Sequence, residues 1–202
     1  MNFSAFAFRR ADESSDDKFY QQPRFVTHIE DTTIQGITQL YREFLTPQTD
    51  VLDLMSSWVS HLPPEIEYRR VAGLGMNEAE LQANPRLNDF VVHDLNANPT
   101  LPYENETFDA ALCCVSVQYL TRPVDVMRDV LRVCCPDAPF IITFSNRCFP
   151  TKAVFAWQSL DDAGHLKLVA AYLREAGWRD VQMLNRTSPG APEPLLAVVG
   201  RK

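Results

Sequence analysis

The segment from Phe108 to Val117 limits the architecture more than any other part of this 202-residue chain. It is apolar at both odd and even positions, interrupted only by Asp109 and Ser116. A strand of that composition has no water-facing side, so both faces must be covered, as in the middle of a parallel sheet flanked by helices. The rest of the chain supplies the flanking elements. Short apolar runs at Val51–Leu54, Val71–Leu74, Phe90–His93 and Phe140–Phe144 read as further strands.

Helical patterns separate these strands. From Thr32, apolar residues Ile34, Ile37, Leu40, Tyr41 and Phe44 recur at spacings of three and four, with Thr32 and Gln35 as a capping box and Pro47 as the stop. Asn77 with Glu80 predicts a second helix start. Thr121-Arg122-Pro123 opens a third, carrying Val124, Met127, Val130 and Leu131 inward. Ser159 with Asp162 predicts the start of a fourth, which ends at Gly177. Val181–Leu184 and Leu195–Val199, joined through a Pro/Gly-rich stretch, predict a terminal antiparallel hairpin. The expected fold is therefore α/β: an open, doubly wound, mostly parallel seven-stranded sheet with a C-terminal antiparallel hairpin. Ligands of such sheets bind beyond the carboxyl ends of the strands.

Residues 31–202 are expected to form one domain, preceded by an arm or lid over residues 1–30. That arm mixes Phe3, Phe6 and Phe8 with Arg9, Arg10 and an acidic run from Asp12 to Asp17. A charge run of this kind ordinarily faces water. Net charge is -7, with no Lys/Arg cluster, which disfavours a nucleic-acid partner. No apolar stretch approaches the roughly 20 residues of a membrane span, and the N-terminus shows no signal-peptide pattern, so a cytoplasmic protein without a membrane partner is expected. Five cysteines, at 113, 114, 134, 135 and 148, lack metal-ligand spacing, so no metal site is expected and they read as small core residues.

Several ordered segments carry a resemblance. Leu101-Pro102-Tyr103-Glu104-Asn105-Glu106-Thr107-Phe108-Asp109-Ala110 leads into Val117-Gln118-Tyr119-Leu120. Cys135-Pro136-Asp137-Ala138-Pro139 and Leu173-Arg174-Glu175-Ala176-Gly177-Trp178 follow in order. Together these resemble the class I S-adenosylmethionine-dependent methyltransferases, in the branch similar to type 11 enzymes acting on small molecules, over residues 50–200. The resemblance implies the Rossmann-like methyltransferase fold, S-adenosylmethionine as cofactor and a small-molecule acceptor, with a homodimer as an admissible assembly. It implies that Asp53, Met55, Ser56 and Ser57 meet the methionine end of the cofactor. By the same resemblance Gly75, Met76 and Asn77 lie near the ribose, Asp94 and Leu95 near the adenine, and Val115, Ser116 and Tyr119 under the sulfonium.

Two positions depart from the family pattern. The loop Met55-Ser56-Ser57-Trp58 has no glycine, and Gly75 stands where a ribose-binding acid is usual. Ser56 and Ser57 are candidates to replace the first contact, Asn77 or Glu80 the second, and Met76 could pack on the adenine.

If the acceptor must lose a proton, a base at the cavity mouth would serve; candidates are His28, Tyr20, Tyr119, Asn146 and Arg147. The loop Ser145–Pro150 either presents Arg147 to a carboxylate-bearing acceptor or simply caps the sheet edge. Trp58, Phe149, Phe155 and Trp157 either line an acceptor pocket or belong to the core. A noncatalytic binding or assembly module on the same fold is the alternative function. No Gly-x-Gly-x-x-Gly follows a strand, which disfavours a dinucleotide enzyme.

Overall fold

The computed structural model describes residues 4–202, so Phe3 lies outside the described residues. Seven strands form one sheet in the order β3-β2-β1-β4-β5-β7-β6. They are β1 (Asp50–Leu54), β2 (Arg70–Gly75), β3 (Asp89–Val92), β4 (Ala110–Cys114), β5 (Pro139–Phe144), β6 (Arg179–Asn185) and β7 (Leu196–Arg201). The first five run parallel, and β7 is antiparallel to both β5 and β6. The order turns back on itself between β1 and β4, which places the switch point of the sheet at their carboxyl ends.

Why β1, β4 and β5 occupy the middle is visible in their burial, since nearly every residue in them is inaccessible on both parities. Helix α2 (Asp31–Phe44) covers one face with Ile37, Leu40 and Tyr41. Helices α4 (Pro123–Val133) and α6 (Asp162–Ala176) cover the other with Val126, Met127, Val130, Val169, Tyr172 and Leu173. The short α3 (Glu78–Ala83) follows β2, α1 (Asp16–Phe19) and α5 (Phe155–Gln158) are single-turn helices, and 3-10 turns span Ala5–Phe8 and Val117–Tyr119. Helix α6 ends at Gly177, whose φ of 102° is the left-handed cap a side chain would resist.

Local boundaries differ from the sequence expectation wherever a distant residue intervenes. Helix α2 begins at Asp31, ahead of the Thr32–Gln35 box, because Glu193 reaches across from the loop before β7 and accepts from the Glu30 N–H at 2.7 Å and the Thr33 hydroxyl at 2.9 Å. Asp161, not Ser159, caps α6, accepting from the Gly164 N–H at 2.8 Å. Thr121 caps nothing; its N–H and hydroxyl both donate to Asn96. Strand β4 is shorter than the apolar run because Val115 adopts a left-handed φ of 43° and Phe108 pairs outside the strand with Cys134. On α4, Val126 and Val133 are fully buried while Val124 and Leu131 are only partly so.

The charged arm does not simply face water. Arg10 donates from one nitrogen to both oxygens of Asp16, at 2.9 and 2.8 Å, and both side chains are buried. Lys152, wholly inaccessible, sits 3.2 Å from Asp16 and 3.3 Å from Asp12 and donates to the Ser14 carbonyl. Burial pushes the Asp16 carboxyl up, but the hydrogen bonds from Arg10, Asn96 and Lys152 outweigh it and hold it below the usual range. A buried charge survives only with such partners. This knot fixes the arm beside the carboxyl edge of the sheet, because Asn96, one of its members, also donates to the Tyr119 carbonyl. Among the described residues no helix is long and apolar enough to cross a membrane.

Candidate functional site

At the switch point a cavity of about 310 Å³ opens beyond the ends of β1 to β4, within the size range of small-ligand sites. Its floor starts at β1. Asp53 is buried at the strand end and accepts from the hydroxyls of Ser56 and Ser60, both at 2.6 Å. Burial pushes its carboxyl up to about 6, and the two hydroxyl donors hold it from going further. It is therefore predominantly a carboxylate at neutral pH.

The loop after β1 takes an unusual path. Met55 has φ 57°, and the Ser56 N–H bonds the Leu74 carbonyl of β2 at 2.8 Å. The loop thus lies on the end of β2, and a Cβ placed on Gly75 would stand 2.3 Å from the Ser56 carbonyl oxygen. The two departures from the family pattern are one structural change: the loop without glycine occupies the space an acidic side chain at position 75 would need. Gly75 supplies the close approach instead.

Beyond β2, the Asn77 side chain caps α3 by accepting from the Glu80 N–H at 3.1 Å. Its amide donates back to the arm, to the carbonyls of Tyr20 at 2.8 Å and Gln21 at 3.2 Å. Glu80 accepts from the Arg24 N–H at 2.7 Å with one oxygen and from the Ser57 hydroxyl at 2.6 Å with the other. Trp58 donates to the Val26 carbonyl at 3.1 Å. These bonds draw residues 20–28 across the cavity as a strap. After β3, Asp94 turns the chain by accepting from Asn96 N–H and Ala97 N–H, and Leu95 is buried beside it.

The opposite wall comes from the ends of β4 and β5. Val115, strained at its positive φ, is a β-branched residue in a conformation such residues rarely adopt, and residues of this kind gather at functional sites. Ser116 donates to the Cys114 carbonyl at 3.0 Å. The Tyr119 phenol accepts from the Phe149 N–H at 2.9 Å and stacks on the Phe149 ring at 5.8 Å. Burial pushes that phenol up to about 12, so Tyr119 positions the loop after β5 and is a poor proton acceptor. Burial likewise pushes the Cys148 thiol up, away from a reactive thiolate.

All twelve residues expected at the cofactor line this one cavity: Asp53, Met55, Ser56, Ser57, Gly75, Met76, Asn77, Asp94, Leu95, Val115, Ser116 and Tyr119. Of the base candidates, His28, Tyr20 and Arg147 join them, while Asn146 is exposed and stands apart. Desolvation lowers the His28 imidazole below its ordinary value, leaving it neutral near pH 7, and its ring meets Phe149 edge-on at 5.2 Å. Arg147 is engaged inside the chain, 3.3 Å from Glu30 and 3.8 Å from Glu193. Trp58 and Phe149 line the cavity; Phe155 does not, and Trp157 is a core residue stacked on His165 at 3.9 Å. The sequence reading missed Arg24 and His61, which also line it. Neither lies in a motif, and Arg24 arrives only because the strap folds back.

Residues 59–142 match the family model of a methyltransferase domain. The protein has the class I methyltransferase fold. Among solved structures, a chain from the complex between the Haloferax volcanii Trm112 methyltransferase activator and a methyltransferase superposes with TM-score 0.65, at 15% identity, over 92% of either chain. The [4+2]-cyclase SpnF matches with TM-score 0.61 at 16% identity, covering 82% of this chain and 80% of that one. Haemonchus contortus phosphoethanolamine N-methyltransferase 2, bound to S-adenosyl-L-methionine, matches with TM-score 0.61 at 12% identity, over 83% of this chain and 52% of its own. No curated protein matches in sequence. At these identities the structural likeness is one of fold, and in the methyltransferase fold the residues described above stand at the ends of β1 to β4.

Proposed function

We propose that this protein is an S-adenosylmethionine-dependent methyltransferase acting on a small-molecule acceptor. The observation that carries the reading is convergence: twelve residues from four strand ends, each expected at the cofactor, meet in one cavity at the switch point of a methyltransferase domain.

The donor set suits the cofactor's parts. The Asp53 carboxylate, ionised above about pH 6, is matched to the methionine ammonium. Leu95 and Met76 offer apolar surface to the adenine, and Asp94 an acceptor for its amino group. The ribose has a poorer match, since Asn77 and Glu80 already hold the strap. When bound, the cofactor supplies an electrophilic methyl group on a sulfonium. The chain's own work is to orient the acceptor, exclude water beneath the strap and receive a proton. His28 is the group for the last task, being neutral near pH 7 and having no hydrogen-bond partner for its ring among the described residues.

A noncatalytic binding module is favoured by one observation, the engagement of Ser57, Asn77 and Glu80 within the chain. Incubation with cofactor carrying a labelled methyl group and a panel of hydroxyl- and amine-bearing metabolites separates the two. Label transferred to an acceptor supports the enzyme; bound cofactor without transfer to any member of a broad panel supports the module.

A further inference from the structure

The methionine carboxylate of the cofactor needs a partner, and the loop after β1 is badly placed to provide one. Both of its hydroxyls are used: Ser56 donates to Asp53 and Ser57 donates to Glu80. Those acceptors are themselves carboxylates, so a third carboxylate brought against this wall meets repulsion unless a cation stands near. Two arginines line the cavity. Arg147 is neutralised by Glu30 and Glu193. Arg24 has no carboxylate within ion-pair distance of its guanidinium among the described residues.

The setting of Arg24 is that of a prepared anion clamp. One of its five N–H donors goes to the Phe19 carbonyl at 2.8 Å. The guanidinium carbon lies 4.7 Å from the centre of the Phe19 ring and 5.4 Å from that of Phe149. The rings, which meet each other edge-on, hold the charge by cation–π contact without consuming its remaining donors, which stay available for bidentate binding of a carboxylate. The backbone of the same residue is pinned to Glu80, so the charge is delivered to the cavity from the strap side, with Asp53 and Arg24 lining the same space.

We propose that Arg24 holds the methionine carboxylate of the cofactor, replacing the contact that a glycine-rich loop after β1 would make. The inference rests on the reading that this cavity takes S-adenosylmethionine. It also gives the strap a purpose: cofactor binding adds an ion pair between the ligand and the segment that covers it.

The test compares two ligands that share the adenosyl thioether and differ in the amino-acid tail. S-adenosylhomocysteine has the carboxylate; 5′-methylthioadenosine lacks it. Both are titrated calorimetrically into the wild-type protein, Arg24→Met and Arg24→Lys, with thermal melts to check that each variant is folded. Arg24→Met is expected to weaken S-adenosylhomocysteine by about 10- to 100-fold, the range for a hydrogen bond to a charged group, and to leave methylthioadenosine unchanged. Arg24→Lys recovers part of the loss. Equal weakening of both ligands, or no change in either, overturns the assignment while leaving the cofactor reading in place. Failure of both ligands to bind the wild-type protein overturns the cofactor reading and this inference with it.

Discussion

The two walls of the cavity are built on opposite terms. On the wall formed by β1, β2 and α3, Asp53, Ser56, Ser57, Asn77 and Glu80 all hydrogen-bond one another or the strap. The wall formed by the ends of β4 and β5 is aromatic, with Tyr119 stacked on Phe149, the strap's His28 edge-on to the same ring and the His28 ring free of hydrogen bonds among the described residues. The contrast separates two tasks. A polar wall bonded through the chain itself is rigid and presents one fixed electrostatic surface, suited to an invariant ligand. An aromatic wall with one proton acceptor suits a variable, largely apolar partner.

The largest effect that would break this division is at His28. If it is the base, His28→Gln lowers turnover of a hydroxyl or amine acceptor about 10²- to 10⁴-fold and leaves cofactor affinity unchanged in a calorimeter. Because desolvation lowers the imidazole's pKa, the wild-type rate should already be on its plateau at pH 7 and fall only in more acidic solution. A parallel loss of cofactor binding would show that His28 serves the other wall.

Next is the knot that fixes the arm, ahead of the strap, beside the carboxyl edge of the sheet. Asp16→Ala leaves the buried Arg10 and Lys152 without their shared partner. Breaking a buried ion pair by removing one member is expected to cost about 3–5 kcal/mol, measured by denaturant unfolding. A change under about 1 kcal/mol, the scale of an exposed pair, would mean the arm is not anchored there.

Asp53 gives the polar wall a pH signature. Its folded carboxyl lies at about 6 against 3.8 in the open chain, so the native state binds the extra proton between those values. Stability therefore falls as pH rises through that window, by up to about 3 kcal/mol. Asp53→Asn should abolish the decline in denaturation experiments at pH 4 and pH 7. Cofactor affinity should show the opposite trend, rising as the carboxylate forms near pH 6.

The smallest expected effect sharpens the link between the two departures in the polar wall. Gly75→Ala puts a Cβ 2.3 Å from the Ser56 carbonyl, and that backbone cannot yield without moving the loop. Overpacking of this kind is expected to cost about 1–3 kcal/mol, read as a fall in melting temperature. An unchanged melting curve would show that the loop is not tied to β2.

How much of this was legible in the sequence follows a physical divide. The sheet was readable because apolar runs such as Ala110–Cys114 and Phe140–Phe144 report burial locally, and Gly177 and the Asn77–Glu80 cap report helix ends locally. The residues that the family resemblance placed at the cofactor share one cavity because they stand at the strand ends. What could not be read was contact at a distance. Glu193 moves the start of α2, Lys152 buries the arm, and Arg24 enters the cavity only through bonds to residues more than fifty positions away. Nor does a missing glycine after β1 reveal that Gly75 has taken over its steric role.

The most direct test of the whole account is a calorimetric titration of the unmodified protein with S-adenosylmethionine and S-adenosylhomocysteine at pH 7.5, repeated with Asp53→Ala. The account predicts one saturable site per chain for each ligand, with weaker binding in a variant that remains folded. Absence of heat from both ligands up to near-millimolar concentration, with the wild-type protein folded, would contradict it.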